Sequence, residues 1–220
     1  MGNKLMPYKN LKMAAKLIAF AGAFALTGCA FVPDTVHNHY TPPTSVNRVP
    51  GAEHVSVSVT VTNEKTRHNK VSVTLDGYGI PMAGVYMHVA RDFKHAIDDA
   101  LVARGFTIGD GGAQVHVVIK HFYLPEHVHW TYESHTGHVS LEVRVMNTAY
   151  RQRIEISKFS SDGDSGLSSA FSADRSTATN ALMSASVNRL TSRPAFIAAV
   201  MKAGGHPAGA DVTAVLVARH

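Results

Sequence analysis

Imidazole is the most abundant side chain here that could do chemistry near neutral pH. The 220 residues include 14 His against 9 Phe and 7 Tyr, and four of the histidines crowd one segment. Residues 126–138 read EHVHWTYESHTGH and contain His127, His129, His135 and His138. In an extended strand residues i and i+2 share a face, so His127 and His129 could ligate one ion. A hairpin between strands at 130–133 and 138–147 would bring His135 and His138 to its turn, near the same ion. Neutral imidazole suits Cu²⁺ or Zn²⁺. The simpler expectation is a polar, exposed hairpin in a His-rich sequence, with no metal and no cofactor. His37 and His39 form a weaker pair of the same kind.

Other reactive-looking patterns lack their partners. Gly163-Asp164-Ser165-Gly166 invites comparison with the nucleophile loop of trypsin-like proteases, but the following Gly and Pro are missing. No histidine sits in the motif that supplies that family's base, and a nucleophile without a positioned base is weak. The stretch with Asp162 and Asp164 is too short for an EF-hand. Gly109–Gly112 comes after a helical pattern and before a strand pattern, the reverse of a dinucleotide site. The sequence thus predicts no catalytic residues and no enzyme.

The one cysteine carries a sharper signal. Residues 1–16 are polar and basic, 17–26 (LIAFAGAFAL) are apolar and uncharged, and Leu26-Thr27-Gly28-Cys29 follows. Ten apolar residues match a signal-peptide core and fall short of a membrane-spanning helix. The four closing residues resemble a bacterial lipobox. Leu26, Thr27 and Gly28 would enter the signal-peptidase groove, and Cys29 would take the lipid. Three acyl chains, palmitate among them, anchor such a residue far beyond the marginal hold of one. Ala30 in place of Asp directs the product to the outer membrane, facing the periplasm. Translation could start at Met1, Met6 or Met13.

This leader also explains the charge. The chain has 21 Lys+Arg and 16 Asp+Glu, a net of +5. Four of the basic residues (Lys4, Lys9, Lys12, Lys16) precede Cys29 and no acidic residue does, so 17 against 16, or +1, remain. Basic residues form no run interleaved with aromatics, and nucleic acid is not expected as a partner. A single Cys excludes an intrachain disulfide framework.

The elements that must position these groups follow from periodicity. Residues 1–28 read as leader and 29–52, with Pro33, Pro42, Pro43 and Pro50, as an extended tether. Residues 54–63 alternate Val with Ser or Thr, which predicts a half-buried strand. Short strands are expected at 71–75, 113–124, 130–133, 138–147 and 151–159, with 76–84 as a Gly/Pro loop. Ala90, Phe93, Ile97, Ala100 and Leu101 form one apolar stripe of a helix over 87–104 that Gly105 ends. Further helices are expected over 174–190 and from Pro194 to 202. The tail 203–220 is Gly-rich, then apolar. Strands, a helix, an antiparallel meander and two helices give a single α+β domain over 53–202, with helices on one face of a largely antiparallel sheet.

Several of these features together resemble the YajG-like family of bacterial lipoproteins. They are the lipobox, the entry Ala90-Arg91-Asp92, the exit Ala103-Arg104-Gly105-Phe106 and the strand ending Phe122-Tyr123-Leu124. The similarity covers roughly 53–202. It implies an outer-membrane location and an α+β fold, and it supplies no catalytic residue. The expected role is that of an accessory or structural envelope component, held to the membrane by lipid and contacting envelope proteins or copies of itself. A module binding a metal or small ligand through the 127–138 hairpin is the alternative.

Overall fold

The structure, a computed structural model, describes residues 33–128, 132–164 and 172–206. The lipobox residues Leu26, Thr27, Gly28 and Cys29 lie outside the described residues, as do His129, Ser165 and the tail from 207.

The valine alternation builds the strands. β2 (Ser56–Asn63) buries Val57 and Val59, and β6 (Ala113–Tyr123) buries Val115, Val117 and Ile119. β8 (Tyr132–Val145) buries Val139, Leu141, Val143 and Val145. The other strands are β1 (Asp34–Thr35), β3 (Lys70–Leu75), β4 (Pro81–Tyr86), β5 (Thr107–Ile108), β7 (Glu126–Val128) and β9 (Arg151–Asp164). All nine join one mixed sheet.

The sheet has a spine and two wings. β8 pairs antiparallel with β9 along one edge over residues 132–144. Its other edge takes β7 at 133–135 and then β6 at 138–145, both antiparallel. Beyond β6 lie β2 and then β5, both parallel additions. Beyond β7 lies β3, parallel, then β4, antiparallel, then β1, parallel to β4. The antiparallel pairing expected from residue 113 onward is present, but residues 132–145 form one strand where two were expected. The parallel entry of β2 beside β6 was not legible, because it requires everything from 64 to 112 to cross over first.

Three helices pack against the sheet. α1 (Val89–Ala103) buries Phe93, Ile97, Ala100 and Leu101 of the predicted stripe together with Ala96, while Ala90 is only half-buried. Phe93 meets Phe122 edge-on, with centroids 5.1 Å apart at 88°. Gly105 has φ 101°, and Phe106 N–H reaches back to Leu101 O at 3.1 Å, the left-handed helix exit expected of that glycine. α2 (Ser172–Thr191) packs on α1, and α3 (Pro194–Ala203) packs on β6 and α2, with Pro194 in the first turn.

The stretch expected as a tether is different. Residues 34–52 lie on the body: β1 pairs with β4, and Val36, Tyr40, Val49 and Ala52 are buried. Val36 N–H donates to Tyr86 O at 2.8 Å, Val49 N–H to Arg104 O at 2.8 Å, and Tyr40 Oη to Asn188 Oδ1 at 2.5 Å. Scattered prolines hide the anchoring residues from any period, so the strap read as solvated linker. Likewise Pro81–Tyr86, of which 81–84 was expected to be loop, pairs as β4.

Candidate functional site

The four histidines singled out do not converge among the described residues. Glu126 faces His135 and His127 faces Ser134 across the β7–β8 pair. Side chains alternate along a strand, so His127 and His135 point to opposite faces of the sheet. His135 is buried and His127 is half-buried. His138 sits further along β8, where its ring stacks on His121 at 4.4 Å and Nε2 lies 3.3 Å from Glu155 Oε1. Nor do residues 132–133 pair with 138–145, because both lie on the single strand β8. Among the described residues no group of three or more His, Cys, Asp or Glu is placed to hold a metal ion.

The Glu126–His135 side of this pair faces a buried polar cluster instead. Glu126 is fully buried and Arg175 of α2 is 4 % exposed. Arg175 Nε donates to Glu126 Oε2 at 3.1 Å, and Thr74 Oγ1 donates to the same oxygen at 2.5 Å. The cluster ties β3, β7 and α2 together. Removing one member of such a buried pair costs about 3–5 kcal/mol, since the other charge stays buried. These groups hold the hairpin to the helical layer.

A second polar feature lies at the fork between the two wings. After β2 the chain leaves the sheet through residues 64–69 and returns as β3. Asn63 Oδ1 accepts Lys65 N–H at 3.2 Å, His68 N–H donates to Lys65 O at 3.0 Å, and Lys70 N–H donates to Arg67 O at 2.9 Å. These turns fold the loop back over the end of β6. The result is a groove of about 320 Å³ lined by Lys65, Arg67, Lys70, Lys120, His121 and the Phe122–Tyr123 pair. Lys65 is only 5 % exposed, and burial pushes its ammonium down to about 8. Lys120 lies 2.5 Å from Glu64 Oε2, and that hydrogen bond raises its pKa. Burial, then His138 and Lys65, hold His121 below the usual imidazole value.

No family model and no curated protein matches the chain. Among solved structures, a Xanthomonas campestris protein of family model DUF330 is similar at 11% identity, covering 73% of this chain and 95% of its own, with a TM-score of 0.40. An uncharacterized protein is similar at 9% identity, over 71% of this chain and 95% of its own, with a TM-score of 0.35. A Helicobacter pylori protein described as a neuraminyllactose-binding hemagglutinin homolog gives 14% identity, 77% and 99% coverage and a TM-score of 0.35. No residue role passes from any of them to this chain.

Sequence reasoning passed over Glu126, Arg175 and Lys65. Glu126 stood among the histidines and Arg175 in a helix of ordinary polarity, 49 positions away. Lys65 stood in NEKTRHNK, a string that reads as solvated loop. A Lys flanked by Glu64 and Thr66, with Arg67 beyond, gives no local sign that its own position will be covered.

Proposed function

We propose that this chain is a lipid-anchored protein of the bacterial outer membrane whose α+β body faces the periplasm and acts without catalysis, through contacts with envelope proteins or with itself. The observation that carries the reading is Leu26-Thr27-Gly28-Cys29 closing an apolar run of ten, with β1 starting only five residues after Cys29. Five residues reach at most about 17 Å when fully extended. A body tied that closely stays at the membrane surface. The YajG-like resemblance of residues 53–202 supports the same placement.

The edge of β9 suits the contact role. β9 is a strand of 14 residues that pairs with β8 alone among the described residues. Its other edge offers backbone N–H and C=O groups to an added strand, the usual geometry of strand augmentation. Arg151, Arg153, Glu155 and Lys158 are exposed along it, and charges of both signs favour a selective partner over indiscriminate pairing.

Two measurements test this reading. Palmitate labelling in a bacterial host is expected to mark the chain, and Cys29→Ala is expected to abolish the label and release the protein from the membrane fraction. A label that survives Cys29→Ala removes the anchor. A photo-crosslinking residue at Ser157 is expected to capture a discrete envelope protein or a second copy in cells. Capture no different from that at Asn69, on the other wing, removes the contact role of β9.

A further inference from the structure

The groove at the fork holds more positive charge than its surroundings balance. Lys65 lies buried beneath it, with the Phe122 ring centroid 5.9 Å from its Nζ. An ammonium has three N–H donors, and Lys65 directs one to Lys70 O at 3.0 Å. Among the described residues no carboxylate pairs with it. A buried charge without a counter-charge is costly, and a bound anion would supply the missing pairing.

The neighbouring cations are held toward the same space. Arg67 Nη1 donates to Tyr123 Oη at 3.0 Å while its guanidinium lies 5.2 Å from the Tyr123 ring centroid, which fixes the fork at the groove wall. The Lys70 side chain lies along the backbone of Gly84, where a Cβ would come within 3.2 Å of its Cε. Lys120 is neutralised by Glu64. Lys65, Arg67 and Lys70 thus stand in excess around one concavity, and Phe122 and Tyr123 give it an apolar wall.

We infer that the groove formed by Lys65, Arg67, Lys70 and Lys120 binds a phosphate group carried by a small molecule or a lipid headgroup. Phosphate suits it better than a single carboxylate. It brings up to two negative charges and a tetrahedral set of oxygens, and the donors here approach from the loop, from β3 and from β6. Arginine supplies the two-pronged contact and lysine the point charge that phosphate sites combine. A volume of about 320 Å³ leaves room for the atoms to which the phosphate is bonded. This goes beyond anchoring and does not depend on it.

The test uses the full chain and two probes. Inorganic phosphate is titrated by calorimetry, and phosphatidylglycerol vesicles are scored by flotation against phosphatidylcholine vesicles. At least one probe is expected to bind, and Lys65→Met and Arg67→Ala are each expected to weaken it at least tenfold. Glu64→Gln, which releases Lys120, is expected to tighten it several-fold. Lys202→Met, on α3 away from the groove, is expected to change nothing. Binding of phosphate without preference for phosphatidylglycerol identifies a soluble phosphate ester. Flotation that responds to Arg67→Ala identifies a headgroup. If neither probe binds, or if binding ignores both Lys65→Met and Arg67→Ala in folded protein, the proposal is overturned. Cys29→Ala is expected to keep the phosphate response, so loss of the anchor and loss of the site are separable.

Discussion

Lys65 shows how one position can set a pH dependence. Its ordinary value is 10.5, and burial lowers it to about 8 in the folded protein. Below pH 8 the ammonium is protonated both folded and unfolded, and the folded state bears the full cost of burying it. Between pH 8 and 10.5 the folded chain has released the proton while the unfolded chain still holds it. Stability therefore rises with pH across that window. Lys65→Met removes the cost and fills the space with an unbranched side chain. It is expected to be more stable than the parent by about 2–3 kcal/mol at pH 7, with the difference shrinking toward zero by pH 10.5. Urea melts of both proteins at matched pH check this, and a constant difference from pH 7 to 10.5 would show that Lys65 is not held off its ordinary value. None of this was readable at the residue, because the Phe122 ring that lies 5.9 Å from Lys65 Nζ belongs to a strand more than fifty positions later.

At the scale of elements, the local signals were legible and the partnerships were not. The helix stripe ending at Leu101, the left-handed exit at Gly105 and the Pro194 start each depend on neighbours within a turn, and each occurs as read. β8 does not. Gly137 interrupts the apolar alternation between His135 and Val139, so the sequence suggested two strands around a turn. The structure gives a reason for the glycine that no local rule contains. A Cβ at Gly137 would stand 2.5 Å from Leu124 Cδ1 and 2.8 Å from Leu182 Cδ2. Both leucines are fully buried, one at the β6–β7 junction and one on α2, so neither has free space to retreat into. Gly137→Ala is expected to cost about 1–3 kcal/mol through overpacking. Because the clash reaches α2, its effect is expected to halve when Leu182→Ala opens the space, a coupling that a double-mutant cycle in thermal melts reads directly. Additive single effects would place the strain elsewhere.

At the scale of the whole molecule, the histidines act as a population and not as a site. Four of them fall within twelve residues, a density that suggests metal ligands as the alternative to a polar hairpin. The fold instead distributes them over both faces of the sheet, the strap, the helices and the loops. Of those described, only His135 is buried, while His37, His39, His54, His68, His88, His95, His121 and His206 are exposed. The reference value of an imidazole in water is near 6.5. The chain's formal charge of +5 counts every His as neutral. Acidification from pH 7 to 5 is therefore expected to add several positive charges, well before most carboxylates are neutralised. His121 is expected to charge late, since burial, His138 and Lys65 all oppose its proton. Free-solution electrophoretic mobility should rise steeply across that interval and level off below it. Under the proposed lipid anchor, the body would then bind an anionic surface more tightly as the surroundings acidify, and salt would weaken the added attraction. A mobility that stays flat from pH 7 to 5 would mean that the exposed histidines are held neutral by contacts that the fold of the isolated chain does not contain.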